Sequence, residues 1–142
     1  MTQPVLLRVT RSYDFPAERV FDAWLDPKLA REWLFTTPDG EMVRAEVDPR
    51  VGGKFCFVDR RAGEDVAHVG EYLEIDRPRR LVFTFGVPKY SPDFERVTVE
   101  IRARGEGCEL ILTHELHDAT FSRDQVEAGW TGILAGLARS LA

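Results

Sequence analysis

Cysteine, methionine and histidine are scarce here: two, two and three residues in a chain of 142. Both thiols, Cys56 and Cys108, fall within strand-like runs. That excludes a disulfide-stapled scaffold and reads as a pair of reduced core residues. Nothing in the sequence sets either one beside a histidine with an orienting third group, so no cysteine nucleophile is expected. No apolar run approaches the roughly 20 residues needed to span a bilayer. Residues Met1 to Arg8 lack the charged lead and long hydrophobic stretch of a secretory signal. A cytoplasmic protein without membrane insertion is the expectation.

Positive charge is also in deficit, with 19 basic against 24 acidic side chains and a net charge of -5. A sequence-independent nucleic-acid binder needs a clustered basic face, so no nucleic-acid partner is expected. The longest basic cluster, Arg77-Pro-Arg-Arg80, reads as a turn between strands. Glycine-rich phosphate loops are missing, because Gly52-Gly53 lacks the strand–loop–helix context of an anion cradle. The segment His114-Glu-Leu-His117 invites a metal reading, but residues three apart on a strand point to opposite faces. No metal and no cofactor are expected.

What remains is ordinary globular material, 44% apolar and 30% charged. Its length fits one domain over residues 1–142. Val5 to Phe15 is rich in β-branched and aromatic residues and reads as a first strand. Pro16 suits a helix start, and Val20, Phe21, Trp24 and Leu25 supply one apolar face. Asp26-Pro27 restarts the pattern as N-cap and first helical residue. Leu29, Trp33 and Leu34 give this second helix its buried stripe, and Thr36 to Gly40 ends it. Strand patterns then recur over 41–48, 54–60, 66–75, 81–87, 94–104 and 108–116. In the first of these, Val43, Ala45 and Val47 alternate with Arg44 and Glu46. The links carry turn chemistry, notably Ala62-Gly63 and Gly105-Glu-Gly107, and their shortness favours an antiparallel meander.

The clearest helix comes last. Ser122 and Gln125 form a capping-box pattern, and Val126, Trp130, Ile133, Leu134, Leu137 and Leu141 share one face. Gly129, Gly132 and Gly136 flank that face at roughly 1 kcal/mol each relative to alanine. Close packing on the sheet is the first reading of these glycines, and clearance for a ligand is the second. The whole reads as an α+β, two-layer body. A curved antiparallel sheet of six or seven strands wraps a long C-terminal helix, with two short helices after the first strand.

This order, with particular residues, resembles the bacterial single-domain homologues of the Hsp90 ATPase activator, within the START-related, birch-pollen-allergen-like (SRPBCC) superfamily. The matching residues are Thr10-Arg11, Tyr13, Pro16-Ala-Glu-Arg-Val-Phe-Asp-Ala-Trp24 and Asp26-Pro27 with Trp33. They continue with Asp48-Pro-Arg-Val-Gly-Gly-Lys-Phe55, Gly70-Glu-Tyr-Leu-Glu-Ile75, Arg80-Leu-Val-Phe-Thr-Phe85, and Gly129-Trp130 with Leu134 and Leu137. The resemblance spans nearly the whole chain. It implies the helix-grip fold and a cavity between sheet and terminal helix, which the superfamily uses for lipids, hormones or polyketides. The co-chaperone behind the family's name carries a separate N-terminal domain for much of its chaperone contact. These 142 residues leave no room for that domain, so chaperone contact is not carried over.

Alternation puts Phe55 and Phe57, then Leu81, Phe83 and Phe85, then Leu110, Leu112 and His114 on the helix-facing side. His68 and Tyr72 can share that wall. Large apolar walls with a few polar groups suit a small-molecule pocket. The expected ligand-binding residues are therefore Trp33, Phe35, Phe55, Phe57, His68, Phe83, Phe85, His114 and Trp130, with Trp33 and Phe35 at the mouth by resemblance. The leading function is non-catalytic binding of a hydrophobic or amphipathic small molecule. The alternatives are a small cyclase- or hydrolase-type enzyme using a pocket histidine, and a co-chaperone-like interaction module. An open edge strand would also permit a homodimer.

Overall fold

A computed structural model describes residues 5–117 and 122–142. Seven strands form one antiparallel sheet: β1 (Val5–Tyr13), β2 (Glu41–Val47), β3 (Lys54–Arg61), β4 (Glu64–Asp76), β5 (Arg80–Phe85), β6 (Glu95–Arg104) and β7 (Gly107–Leu116). Their order across the sheet is β1-β7-β6-β5-β4-β3-β2, so β2 to β7 run as a meander and β1 closes onto β7. Two short helices, α1 (Ala17–Leu25) and α2 (Pro27–Ala30), follow β1, and α3 (Arg123–Leu141) ends the chain. This is the α+β helix-grip architecture expected from the sequence. Among the described residues, no helix is long and apolar enough to cross a membrane.

Hairpin chemistry sets the register. Arg61 pairs with Glu64 across Ala62-Gly63, both of which have positive φ, the geometry of a two-residue turn matched to strand twist. The expected alternation then holds strictly in β7, where Cys108, Leu110, Leu112, His114 and Leu116 are buried. It also holds in β3 and β4, where Phe55, Phe57, Asp59, Val66, His68 and Tyr72 face inward. In β2 it breaks. The register shifts between Met42 and Arg44, so Val43 is the extra residue of a bulge and is exposed, while Met42, Ala45 and Val47 pack on the core.

The second helix is shorter than expected. Asp26 caps it by accepting from the Lys28 N–H at 2.9 Å, but the helix stops at Ala30. Trp33 and Leu34 are buried from the turns that follow. Pro16 takes the N-cap position of α1 rather than its first turn, and β1 stops at Tyr13, two residues short of Phe15.

Trp130, Leu134, Leu137 and Leu141 bury the inner face of α3. Each large apolar side chain contributes roughly 1.5–3 kcal/mol. Ser122 and Gln125 make the full capping box at its start. Tyr13 Oη donates to the Leu134 carbonyl at 2.8 Å. Arg19 Nη2 donates to the Leu141 carbonyl at 2.6 Å, satisfying an acceptor the helix leaves open. The glycines do not follow the close-packing reading. A Cβ at Gly129 or Gly132 would meet nothing within 4 Å, and one at Gly136 would make ordinary contact with Trp33. These positions leave space beside α3.

Candidate functional site

A cavity of about 310 Å³ lies between the inner face of the sheet, the first half of α3 and the segments that follow α2 and β5. Phe85, His68 and His114 form its sheet side, Val126, Trp130 and Ile133 its helix side, and Val87 and Tyr90 part of its rim. Phe35, Thr36 and Thr37 complete it; Thr36 and Thr37, with Gly129 and Ile133, also border a groove of about 630 Å³ along α3. The bare backbone at Gly129 borders both spaces, and a Cβ there would meet nothing within 4 Å.

Aromatic stacking organises the floor. The Phe35 ring lies parallel to His68, with centroids 4.8 Å apart and planes at 6°. It is also parallel to Phe85, at 5.0 Å and 12°. Trp130 meets Phe35 and Phe85 at steep angles, 5.9 and 6.1 Å away. Phe35 is buried with φ at 60°, a left-handed conformation that costs a non-glycine residue about 1–2 kcal/mol. The surrounding rings hold it there.

Hydrogen bonding fixes the tautomer of each buried histidine. His68 Nδ1 lies 3.3 Å from the Phe57 carbonyl, which can only accept, so Nδ1 carries the proton. Nε2 then accepts from Arg61 Nη2 at 3.2 Å. Burial, reinforced by the Arg61 charge, lowers the His68 pKa to about 4. His114 holds the opposite tautomer. Trp130 Nε1 donates to its Nδ1 at 3.0 Å, and Nε2–H donates to Glu95 Oε1 at 2.8 Å. Burial lowers its pKa from the usual value, against the raising influence of Glu95. Both imidazoles are neutral at pH 7, and all four ring nitrogens are engaged.

Behind His68 lies a second polar chain. Asp59 is fully buried and accepts through Oδ2 from Arg61 Nε at 2.7 Å and from Thr37 Oγ1 at 2.8 Å. Arg61 Nη2 also reaches the Phe35 carbonyl at 3.4 Å. One guanidinium thereby ties β3 to β4 and to the turn that carries Phe35. Glu95 accepts from His114 and, at 2.6 Å, from the His117 backbone N–H. His114 is buried while His117 is exposed. Among the described residues, no group of three or more His, Cys, Asp or Glu side chains is placed to hold a metal ion.

Of the nine residues expected from the sequence, Phe35, His68, Phe85, His114 and Trp130 line the cavity together. Phe35 is a fully packed element of the floor rather than a rim residue. Trp33 is buried against Trp24, edge to face at 4.8 Å, and lies outside the lining. Phe55 and Phe83 border a void of only about 10 Å³ on another side of Phe35. Phe57 is packed among Phe35 and Phe55. Sequence reasoning missed Arg61, Glu95 and the Thr36-Thr37 pair. Arg61 ends a strand and Glu95 begins one, where alternation gives the weakest signal. Thr36 and Thr37 looked like loop punctuation.

The family of Activator of Hsp90 ATPase homolog 1-like proteins matches residues 14–142 of this chain. A Chromobacterium violaceum protein of known structure is 27% identical, with 94% of each chain covered and a TM-score of 0.86. A Rhizobium loti protein is 26% identical over 96% of each chain, with a TM-score of 0.78. The AHSA1-like protein from Aeromonas hydrophila is 24% identical, covering 95% of this chain and 92% of its own, with a TM-score of 0.80. No curated protein matches the chain.

Proposed function

The chain belongs to the family of Activator of Hsp90 ATPase homolog 1-like proteins, of the SRPBCC type, and from that premise we propose that it binds a hydrophobic or amphipathic small molecule, without catalysis, in the cavity beside Trp130. The size and aromatic walls of the cavity suit such a ligand. The observation that carries the non-catalytic part is the engagement of both ring nitrogens of each cavity histidine, His68 and His114. A general base must offer a lone pair to the substrate. The lone pair of His68 is held by Arg61 and that of His114 by Trp130, so using either one would first break a buried hydrogen bond.

Native mass spectrometry of freshly purified protein, followed by solvent extraction, tests this reading. A small-molecule adduct that disappears in Gly129→Leu, which fills the cavity, is the expected result. A bare mass together with no uptake of an apolar dye would contradict it. The 2.8 Å Glu95–His114 pair favours the enzyme alternative. That alternative requires His114→Gln to abolish turnover of the extracted compound while leaving its binding intact.

A further inference from the structure

We infer that the open edge of β1, apart from the cavity, takes up an extended peptide with two acidic side chains three residues apart, as an added strand. An open sheet has two edges, and this one treats them differently. The edge strand β2 is seven residues long, is broken by the bulge at Val43, and carries the Arg44–Glu46 ion pair. Bulges and edge charges discourage the pairing of another strand. β1 is built otherwise. Its nine residues pair with β7 from Val5 to Tyr13 without a register shift. Proline and glycine are absent from it, and Val5 and Leu6 are exposed at its start. Among the described residues, no strand pairs with its other side.

Charge selects the occupant. The chain carries a net charge of -5, yet β1 holds two arginines and no acid. Arg8 is exposed on the outer face, while half-buried Arg11 shares the inner face with Leu7 and Tyr13. Neither makes a hydrogen bond or an ion pair among the described residues. Arg11 Nε is buried without a partner, and its guanidinium lies 5.7 Å from the centroid of the Tyr13 ring. A carboxylate reaching Arg11 would relieve that unmet donor as well as add a charge-assisted hydrogen bond. The acids that face β1 across the ladder are already engaged: Glu109, opposite Ser12, pairs with Arg104, and Glu115, opposite Leu6, pairs with Arg96. Positions three apart on a strand face opposite sides, as Arg8 and Arg11 do. A strand laid beside β1 therefore meets both arginines when its own acids are three apart, in either strand direction. A second copy of β1 fits poorly, because the paired span would bring four arginines together with no acid to offset them.

The test titrates the peptide acetyl-Thr-Glu-Val-Thr-Glu-Val-Thr-amide into the full chain, following the backbone amides of β1 by NMR. One control peptide has glutamine in place of both glutamates. A second, acetyl-Thr-Glu-Val-Glu-Thr-Val-Thr-amide, keeps the composition but puts both acids on one face. The first peptide should bind about tenfold tighter than the glutamine control, the effect of one hydrogen bond to a charged donor. It should bind a few-fold tighter than the one-faced control and show NOEs from its backbone to β1. Arg11→Gln should cost the acidic peptide about tenfold and the glutamine peptide nothing, whereas Arg8→Gln, whose pair stays in water, costs only a few-fold. The peptide comparison on the wild type stands even if a variant unfolds. Equal binding of the acidic and glutamine peptides would overturn the role of the arginines. NOEs to β2 in place of β1, or no binding by any of the three peptides, would overturn the assignment to this edge. A dimer in sedimentation equilibrium, with β1 amides protected on association, would overturn the acidic partner in favour of a second copy.

Discussion

Acid should destabilise this fold through His68, and the size of the effect follows from its surroundings. The folded pKa is about 4, below the ordinary value of about 6.5 for an unfolded chain. Between those values the unfolded state binds more protons than the folded one, so stability falls as pH falls. The contribution is negligible well above pH 6.5 and grows to roughly 3 kcal/mol of lost stability by pH 4. His68 is 5% exposed, so solvent screening removes little of this. Exposed carboxylates such as Asp22 and Asp65, held below their usual pKa by hydrogen bonds from Arg77 and Arg60, also lose their pairing in acid. They do so in any variant. The comparison is therefore between wild type and His68→Gln, unfolded in urea at pH 7.5 and pH 4.5 and followed by circular dichroism. The variant should be less stable at pH 7.5 and should lose roughly 2–3 kcal/mol less between the two conditions. An identical pH dependence in both proteins would refute a neutral, buried His68.

The His114 pair gives a spectroscopic prediction: Glu95→Gln should lower the His114 pKa further and Trp130→Phe should raise it, read by NMR titration of the ring protons. Removing the carboxylate takes away support for the cation, and removing the indole donor frees Nδ1 to accept a proton. Gly129→Ala should stabilise the fold by about 0.5–1 kcal/mol in chemical denaturation, because its Cβ enters open space and alanine favours the helix. Gly70→Ala should cost more than about 2 kcal/mol in the same assay, since its Cβ would collide with the Thr84 carbonyl and the Phe55 ring. Tyr13→Phe should cost about 1–2 kcal/mol by leaving the Leu134 carbonyl without its buried donor.

Periodicity made most of the fold legible in the sequence. The two-residue alternation of β7 places Leu110, Leu112 and His114 on one face, and the capping box and apolar stripe of α3 need no tertiary information. The failures have local causes. The bulge at Val43 breaks the alternation in β2 without any marker such as glycine. After α2, the apolar spacing of Trp33 and Leu34 mimics another helical turn, but tertiary packing buries both from irregular backbone. In the site, residue type and strand phase were enough to bring His68, Phe85, His114 and Trp130 together. They could not separate a ring that walls the cavity from one, such as Phe57 or Phe83, that fills the core behind it. Nor could they show that Arg61 and Trp130 occupy the histidine lone pairs, because those partners lie 7 and 16 residues away in sequence. Only the folded geometry displays those hydrogen bonds.

The central claim is that the space beside Trp130 is a ligand site. Isotope-filtered NOE measurement on the labelled protein with unlabelled 1-indanone tests it most directly. The account predicts contacts from the bound ring to Phe85, Trp130 and Ile133, together with a shifted Trp130 indole N–H. Contacts confined to the opposite side of the sheet, around Phe94 and Cys56, or none at all at saturating indanone, would contradict it.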